Sequence, residues 1–113
     1  MPSDTSMYDY HAHIYFDKET SPKAKILRQA IETHFNDIDM GRFFEKNVGP
    51  HPRWSYQVAF HKKDFSDIIN WLMLNRDGLT IFVHPQTGDA LRDHRDHALW
   101  MGECLPLDLS IFG

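Results

Sequence analysis

Cysteine is nearly absent from this chain: Cys104 is the single copy in 113 residues. An intramolecular disulfide is thereby excluded, and so is a zinc cage built from thiolates. Next to Leu105 and Pro106, Cys104 reads as a packing residue. Long apolar runs are missing too. None approaches the length a bilayer span requires. The opening MPSDTSMYDY lacks the charged-then-apolar pattern of a secretory leader. A reducing cytoplasm is the location these absences imply. Positive charge is not in excess. With a formal net charge of −4, there is no global basic field to gather nucleic acid or anionic lipid. Repeats, low-complexity tracts and linkers are lacking as well.

What is present is an ordinary globular balance, 42% hydrophobic and 25% charged, in a length that suits one core. Residues 1–7 read as a loose tail and 8–113 as a single domain. Two things stand out: aromatic content of 13% and eight histidines. Histidine is the commonest metal ligand, so eight copies invite a search for a cluster.

YDYHAHIYF alternates strictly. Tyr8, Tyr10, Ala12, Ile14 and Phe16 share one face; Asp9, His11, His13 and Tyr15 share the other, as in a strand. SPKAKILRQAIETHF predicts a helix, with Ser21 as N-cap, Pro22 in the first turn, and Leu27, Ala30, Ile31 and Phe35 as its buried stripe. GRFFEKNV is a weaker strand. WSYQVAFH alternates again, with Trp54, Tyr56, Val58 and Phe60 on one side and Ser55, Gln57, Ala59 and His61 on the other. DFSDIINWLMLNRDG predicts a second helix, capped by Asp64, stopped by Gly78, and buried along Ile68, Ile69, Leu72 and Met73. LTIFVHP is the fourth strand, with Leu79, Ile81 and Val83 inward. A polar loop and a short strand near LDLSIF follow.

The order strand-helix-strand-strand-helix-strand is the split-βαβ, ferredoxin-like pattern of an α+β fold. Both helices cover one face of an antiparallel sheet, and the first strand is central between the third and fourth. The other face carries His11, His13, Tyr15, Ser55, Gln57, His61, Thr80, Phe82 and His84. Antiparallel pairing brings the start of the first strand beside the ends of its neighbours, so His11, His84 and His61 are expected at one end of the sheet.

Residues i and i+2 on a strand put two imidazoles on one side about 6.8 Å apart at the backbone, within reach of one ion. A third ligand, His84, comes from the neighbouring strand. The plain alternative is a polar sheet face exposed to water. His51 sits in GPHP, stiff enough to aim a side chain but also compatible with a tight turn. The turn holding it belongs near Tyr15, so it must fold over the sheet to reach His11. His94 and His97 lie in RDHRDH, beside Asp93 and Asp96, which can orient an imidazole. For His97 a solvated charge run is the simpler reading. His34 flanks a helix. Tyr15, Gln57, Phe82 and Trp100 are positioned to contact a planar substrate.

Taken together, YHAHIYF, GPHP, WLMLNR, VHPQTGD, DH at Asp93-His94 and ALWMG, in this order, resemble the DOPA 4,5-dioxygenase family. The resemblance runs from Tyr8 to Gly102. It implies a ferredoxin-like fold and extradiol cleavage of a catechol by O2 at a non-haem iron(II). It also implies a correspondence of His11 and His13 with the family's H-x-H, His51 with its GPHP histidine, His84 with its HPxTG histidine and His94 with its DH histidine. His11, His13 and His84 would then bind the metal, and His51 or His94 would act in proton transfer.

Non-haem iron oxygenases commonly use two histidines and one carboxylate. Here the only acids in range are Asp9 and Glu45, and both are poorly placed. An all-histidine site, with zinc or another divalent metal instead of iron, stays open. Two other classes compete: a zinc-dependent hydrolase or isomerase, and a metal-free dimeric module that binds small molecules. The bare sheet face predicts a homodimer in each case.

Overall fold

The alternating stretch around the two neighbouring histidines forms β1, Tyr10–Phe16. A computed structural model describes residues 8–112; the expected tail lies outside the described residues. β1 pairs antiparallel with β3, Trp54–Phe60, and with β4, Ile81–Pro85. β2, Ile38–Met40, extends the sheet beyond β3, and β5, Leu99–Met101, extends it beyond β4. The strand order is β2-β3-β1-β4-β5, the ferredoxin-like arrangement with one added edge strand.

Period-two alternation puts Ala12, Ile14, Phe16, Tyr56, Val58, Phe60, Ile81 and Val83 on one side of the sheet. α1, Ser21–His34, brings Ala24, Leu27 and Ile31 onto them, and α2, Phe65–Asn75, brings Ile68, Ile69 and Leu72. The Tyr56 hydroxyl satisfies itself by donating to the Ala24 carbonyl, 3.1 Å away, and so ties α1 to β3.

Several expectations need correction. The second strand is Ile38–Met40, not GRFFEKNV; residues 41–48 follow β3 only through an isolated bridge between Phe44 and Ser55 and a Gly41 N–H bond to the Gln57 carbonyl. The polar loop holds a short helix, α3, Ala90–Arg95, as well as β5. The segment near LDLSIF is a 3-10 turn, Leu109–Phe112, not a strand. Thr20 occupies the N-cap of α1, and Ser21 is already helical and buried. Met73 is 57% exposed, and Ala24 takes the place in the α1 stripe expected of Ala30. Cys104 is exposed rather than packed.

The most consequential difference concerns the second sheet face. It is not bare. The turn at residues 49–52, α3, the Trp100 side chain of β5 and the C-terminal 3-10 turn lie over it, and His11, His13, Tyr15, Ser55, Phe82 and His84 are all buried. Among the described residues no helix is long and apolar enough to cross a membrane.

Candidate metal centre

Register explains why the first three histidines meet. His11 of β1 lies directly opposite His84 of β4, and His13 is two residues along on the same side. His11, His13 and His84 each offer a ring nitrogen, and these atoms all lie within 4.8 Å of one another. The Nε2 atoms of His13 and His84 are 3.0 Å apart. Two adjacent ligands at right angles on one ion, each about 2.1 Å from it, are separated by about 3.0 Å. The spacing therefore suits a shared divalent cation.

Proton positions follow from the partners. His84 Nδ1 lies 2.8 Å from the Pro85 carbonyl. A carbonyl can only accept, so Nδ1–H donates and Nε2 keeps its lone pair for the centre. A backbone acceptor behind the ligating ring is the usual way a protein fixes such a tautomer. Burial, and then the neighbouring rings of His51, His84, His11 and His94, hold His13 well below the ordinary histidine pKa. Burial pulls His84 down to about 3, against some opposition from the Pro85 carbonyl. Both rings are neutral at physiological pH, the form a metal requires.

Among the described residues no carboxylate joins the group. Asp9 accepts from the Lys62 backbone N–H, and Glu45 is exposed. Asp93 is buried, but its two oxygens accept from the Thr87 N–H at 2.8 Å and the Thr87 hydroxyl at 2.6 Å. Three buried imidazoles with no acid fit a divalent metal and leave open which one.

Two further histidines flank the triad. The ring of His51 lies 4.3 Å from that of His13, and the ring of His94 lies 4.1 Å from that of His84. The turn carrying His51 does fold over the sheet. It closes with the His51 N–H donating to the Val48 carbonyl at 3.0 Å, and Gly49 sits at φ 55°, a conformation costly for other residues. Tyr15, 1% exposed, places its hydroxyl 2.6 Å from His51 Nδ1. Burial pushes the phenol upward, so it keeps its proton. Among the described residues it has no other hydrogen-bond partner, so the proton goes to Nδ1 and His51 carries its own on Nε2. His94 is the reverse. Its Nδ1 donates to the Ala90 carbonyl at 2.7 Å, and Nε2 is left as an acceptor. Burial lowers the pKa of His51 to about 4, and it also lowers that of His94. The two flanking imidazoles thus stand in opposite tautomers, one donor and one acceptor.

The remaining candidates divide. Gln57 lines a cavity of about 230 Å³ together with His13 and His51. Phe82 is 0% exposed; it packs between His13, His84 and Trp100 and offers no surface to a substrate. Trp100 stacks on Phe82 at 4.6 Å and, more distantly, on Tyr15. His61 turns away to Tyr8 and Asp37, His97 is exposed, and His34 stacks on Trp71. Sequence reasoning missed the brace that aims His94. Asp89 caps α3 by accepting from the Arg92 N–H, Thr87 and Asp93 lock the preceding turn, and Phe112 stacks on the His94 ring at 4.3 Å. An Asp three residues before a backbone donor in TGDALR was a visible cap signal.

The model of the Dopa 4,5-dioxygenase family matches residues 10–111, which takes in every one of these histidines. The chain belongs to the Dopa 4,5-dioxygenase family. A crystal structure of a Nostoc punctiforme protein described as a candidate dioxygenase superposes with a TM-score of 0.87 at 44% identity, covering 95% of this chain and 93% of that one. An uncharacterized 21.2 kDa protein of Botryotinia fuckeliana is 39% identical over 90% of this chain. The DOPA 4,5-dioxygenase of Amanita muscaria is 30% identical over 95% of it. The chain spans 62% and 50% of the lengths of these two curated relatives.

Proposed function

We propose that this member of the Dopa 4,5-dioxygenase family is an extradiol ring-cleaving dioxygenase acting on a catechol. His11, His13 and His84 would hold a non-haem iron(II), and the reducing cytoplasm would keep it ferrous. The observation that carries this reading is the meeting of three buried imidazoles with two Nε2 atoms 3.0 Å apart. When bound, the metal supplies adjacent open positions where a catecholate and dioxygen are brought together. The protein's own groups handle the protons. His94, with Nε2 as acceptor, takes a proton from the catechol. His51, with Nε2–H held by Tyr15, donates to oxygen where negative charge develops. The covering turns and α3 keep bulk water from the centre.

The all-imidazole donor set favours one competitor, a zinc-dependent hydrolase or isomerase. One experiment separates them. The protein is reconstituted anaerobically with iron(II), then given air and a panel of catechols. Oxygen uptake with a yellow ring-opened product supports the dioxygenase. Tight zinc with no oxygen uptake on any catechol rejects it.

A further inference from the structure

Among the described residues, the cavity beside His13 and His51 has a single permanent cation in its wall, Arg42. Every other arginine has a partner. Arg28 meets Glu32, Arg53 meets Glu103, Arg92 meets Asp89, Arg95 meets Asp96, and Arg76 donates to the Leu79 carbonyl. Arg42 has neither a carboxylate nor a carbonyl partner among the described residues. Its backbone is nonetheless pinned. The Gly41 N–H donates to the Gln57 carbonyl at 2.8 Å, and the Phe44 N–H donates to the Ser55 carbonyl at 3.0 Å. Glycine at position 41 allows this approach, since a Cβ there would sit 3.3 Å from the Gln57 Cβ. The guanidinium therefore springs from a fixed stretch of backbone that lines a mostly apolar pocket shared with His13 and His51.

We propose that Arg42 is a specificity residue that pairs with a carboxylate on the substrate. This rests on the catechol reading for the diol end. A planar guanidinium matches a carboxylate in a two-point, charge-assisted contact. The described residues lining the cavity include no aspartate or glutamate. An ammonium group on the same substrate would find no counter-charge there. The preferred ligand is thus an aromatic acid carrying a negative charge alone, not a zwitterionic amino acid such as DOPA.

The test compares 3,4-dihydroxycinnamate, DOPA and 4-methylcatechol as substrates of the iron-loaded protein. In parallel, calorimetry follows binding of 4-hydroxycinnamate, which lacks the diol. The wild type should favour the dihydroxy acid over both others. In Arg42→Ala the acid-to-neutral ratio of kcat/KM should fall about tenfold or more, and 4-hydroxycinnamate binding should weaken by a similar factor. Arg42→Lys should recover part of both. An unchanged ratio in Arg42→Ala, or a wild type that takes DOPA as readily as the acid, overturns the proposal. If no catechol consumes oxygen, the ring-cleavage reading has failed and calorimetry alone decides. Binding of 4-hydroxycinnamate that depends on Arg42 then sustains the inference, and binding that is absent or indifferent to Arg42 overturns it.

Discussion

The two faces of this sheet are built from the same strands, on alternate residues, and are buried almost equally. Their contents differ sharply. Ala12, Ile14, Val58, Ile81 and Val83 meet two helices across one face, where each large apolar side chain contributes about 1.5–3 kcal/mol. His11, His13, Tyr15 and His84 are shut in on the other by turns and a six-residue helix. Burying imidazoles yields little hydrophobic gain and forces them to be neutral. One face thus supplies most of the stability, and the other uses some of it to hold ligand-ready nitrogens.

The largest test truncates one residue from each face. Leu72→Ala, at a fully buried position of α2, should cost about 2–5 kcal/mol in chemical denaturation. The surviving folded molecules should still bind metal. His84→Ala should cost the metal-free protein only about 1 kcal/mol, yet abolish the rise in melting temperature that a saturating divalent metal gives the wild type. A metal-dependent rise that persists in His84→Ala would dissolve the contrast between the faces.

Next in size is the polar pair inside the histidine face. Tyr15→Phe removes the 2.6 Å contact that fixes the His51 tautomer. The expected loss is about 10–100-fold in kcat with little change in KM, and roughly 1 kcal/mol of stability. An equal fall in kcat for Tyr15→Phe and for a distant, equally destabilising core variant would show that the hydroxyl only packs.

The pH response should also differ between faces, since only one carries imidazoles, which titrate near neutrality once the chain unfolds. The folded pKa of His51 is lowered to about 4 and that of His84 to about 3, and burial also lowers His13 and His94. Below the unfolded value of about 6.5 the unfolded chain binds more protons than the native one, so stability falls as pH falls. It is fully present above that value and declines toward the folded values, by about 1 kcal/mol per pH unit for each such ring. Metal-free protein melted between pH 7 and pH 5 should show this slope, and His84→Gln should flatten it. A level profile in the wild type would mean the rings are not shielded.

How much of this was readable in advance depended on the period of each element. Strict alternation in YDYHAHIYF and WSYQVAFH gave the parity of both strands, and the antiparallel strand order put His11, His13 and His84 on one face; the exact pairing of His11 with His84 came only with the structure. Shorter elements carry no such signal. β2 is three residues long and includes Asp39, a poor strand former, whereas the aromatic Phe43 and Phe44 nearby look more strand-like. Phe43 instead stacks on Phe16 at 4.3 Å. α3 has too few residues for a helical period to show. LDLSIF alternates, but Asp108 accepts from both the N–H and the hydroxyl of Ser110 and turns the chain. The cover over the histidine face is made entirely of such pieces, so a face that is closed read as open.

The smallest effect comes from an imidazole with the right parity in the wrong place. His61 follows β3 on the histidine side, but its ring stacks on Tyr8 at 4.4 Å and its Nε2 lies 3.5 Å from an Asp37 oxygen. Asp37 already holds the Lys63 ammonium at 2.9 Å, so little is lost without the histidine. Pairs this exposed are worth about 0–1 kcal/mol. His61→Ala should therefore shift stability by less than about 0.5 kcal/mol and leave bound metal and its affinity as in the wild type. A measurable drop in metal occupancy would place a fourth imidazole at the centre. It would also mean that facing the right side of the sheet is enough to bind, whereas the structure implies that the register with β4 decides.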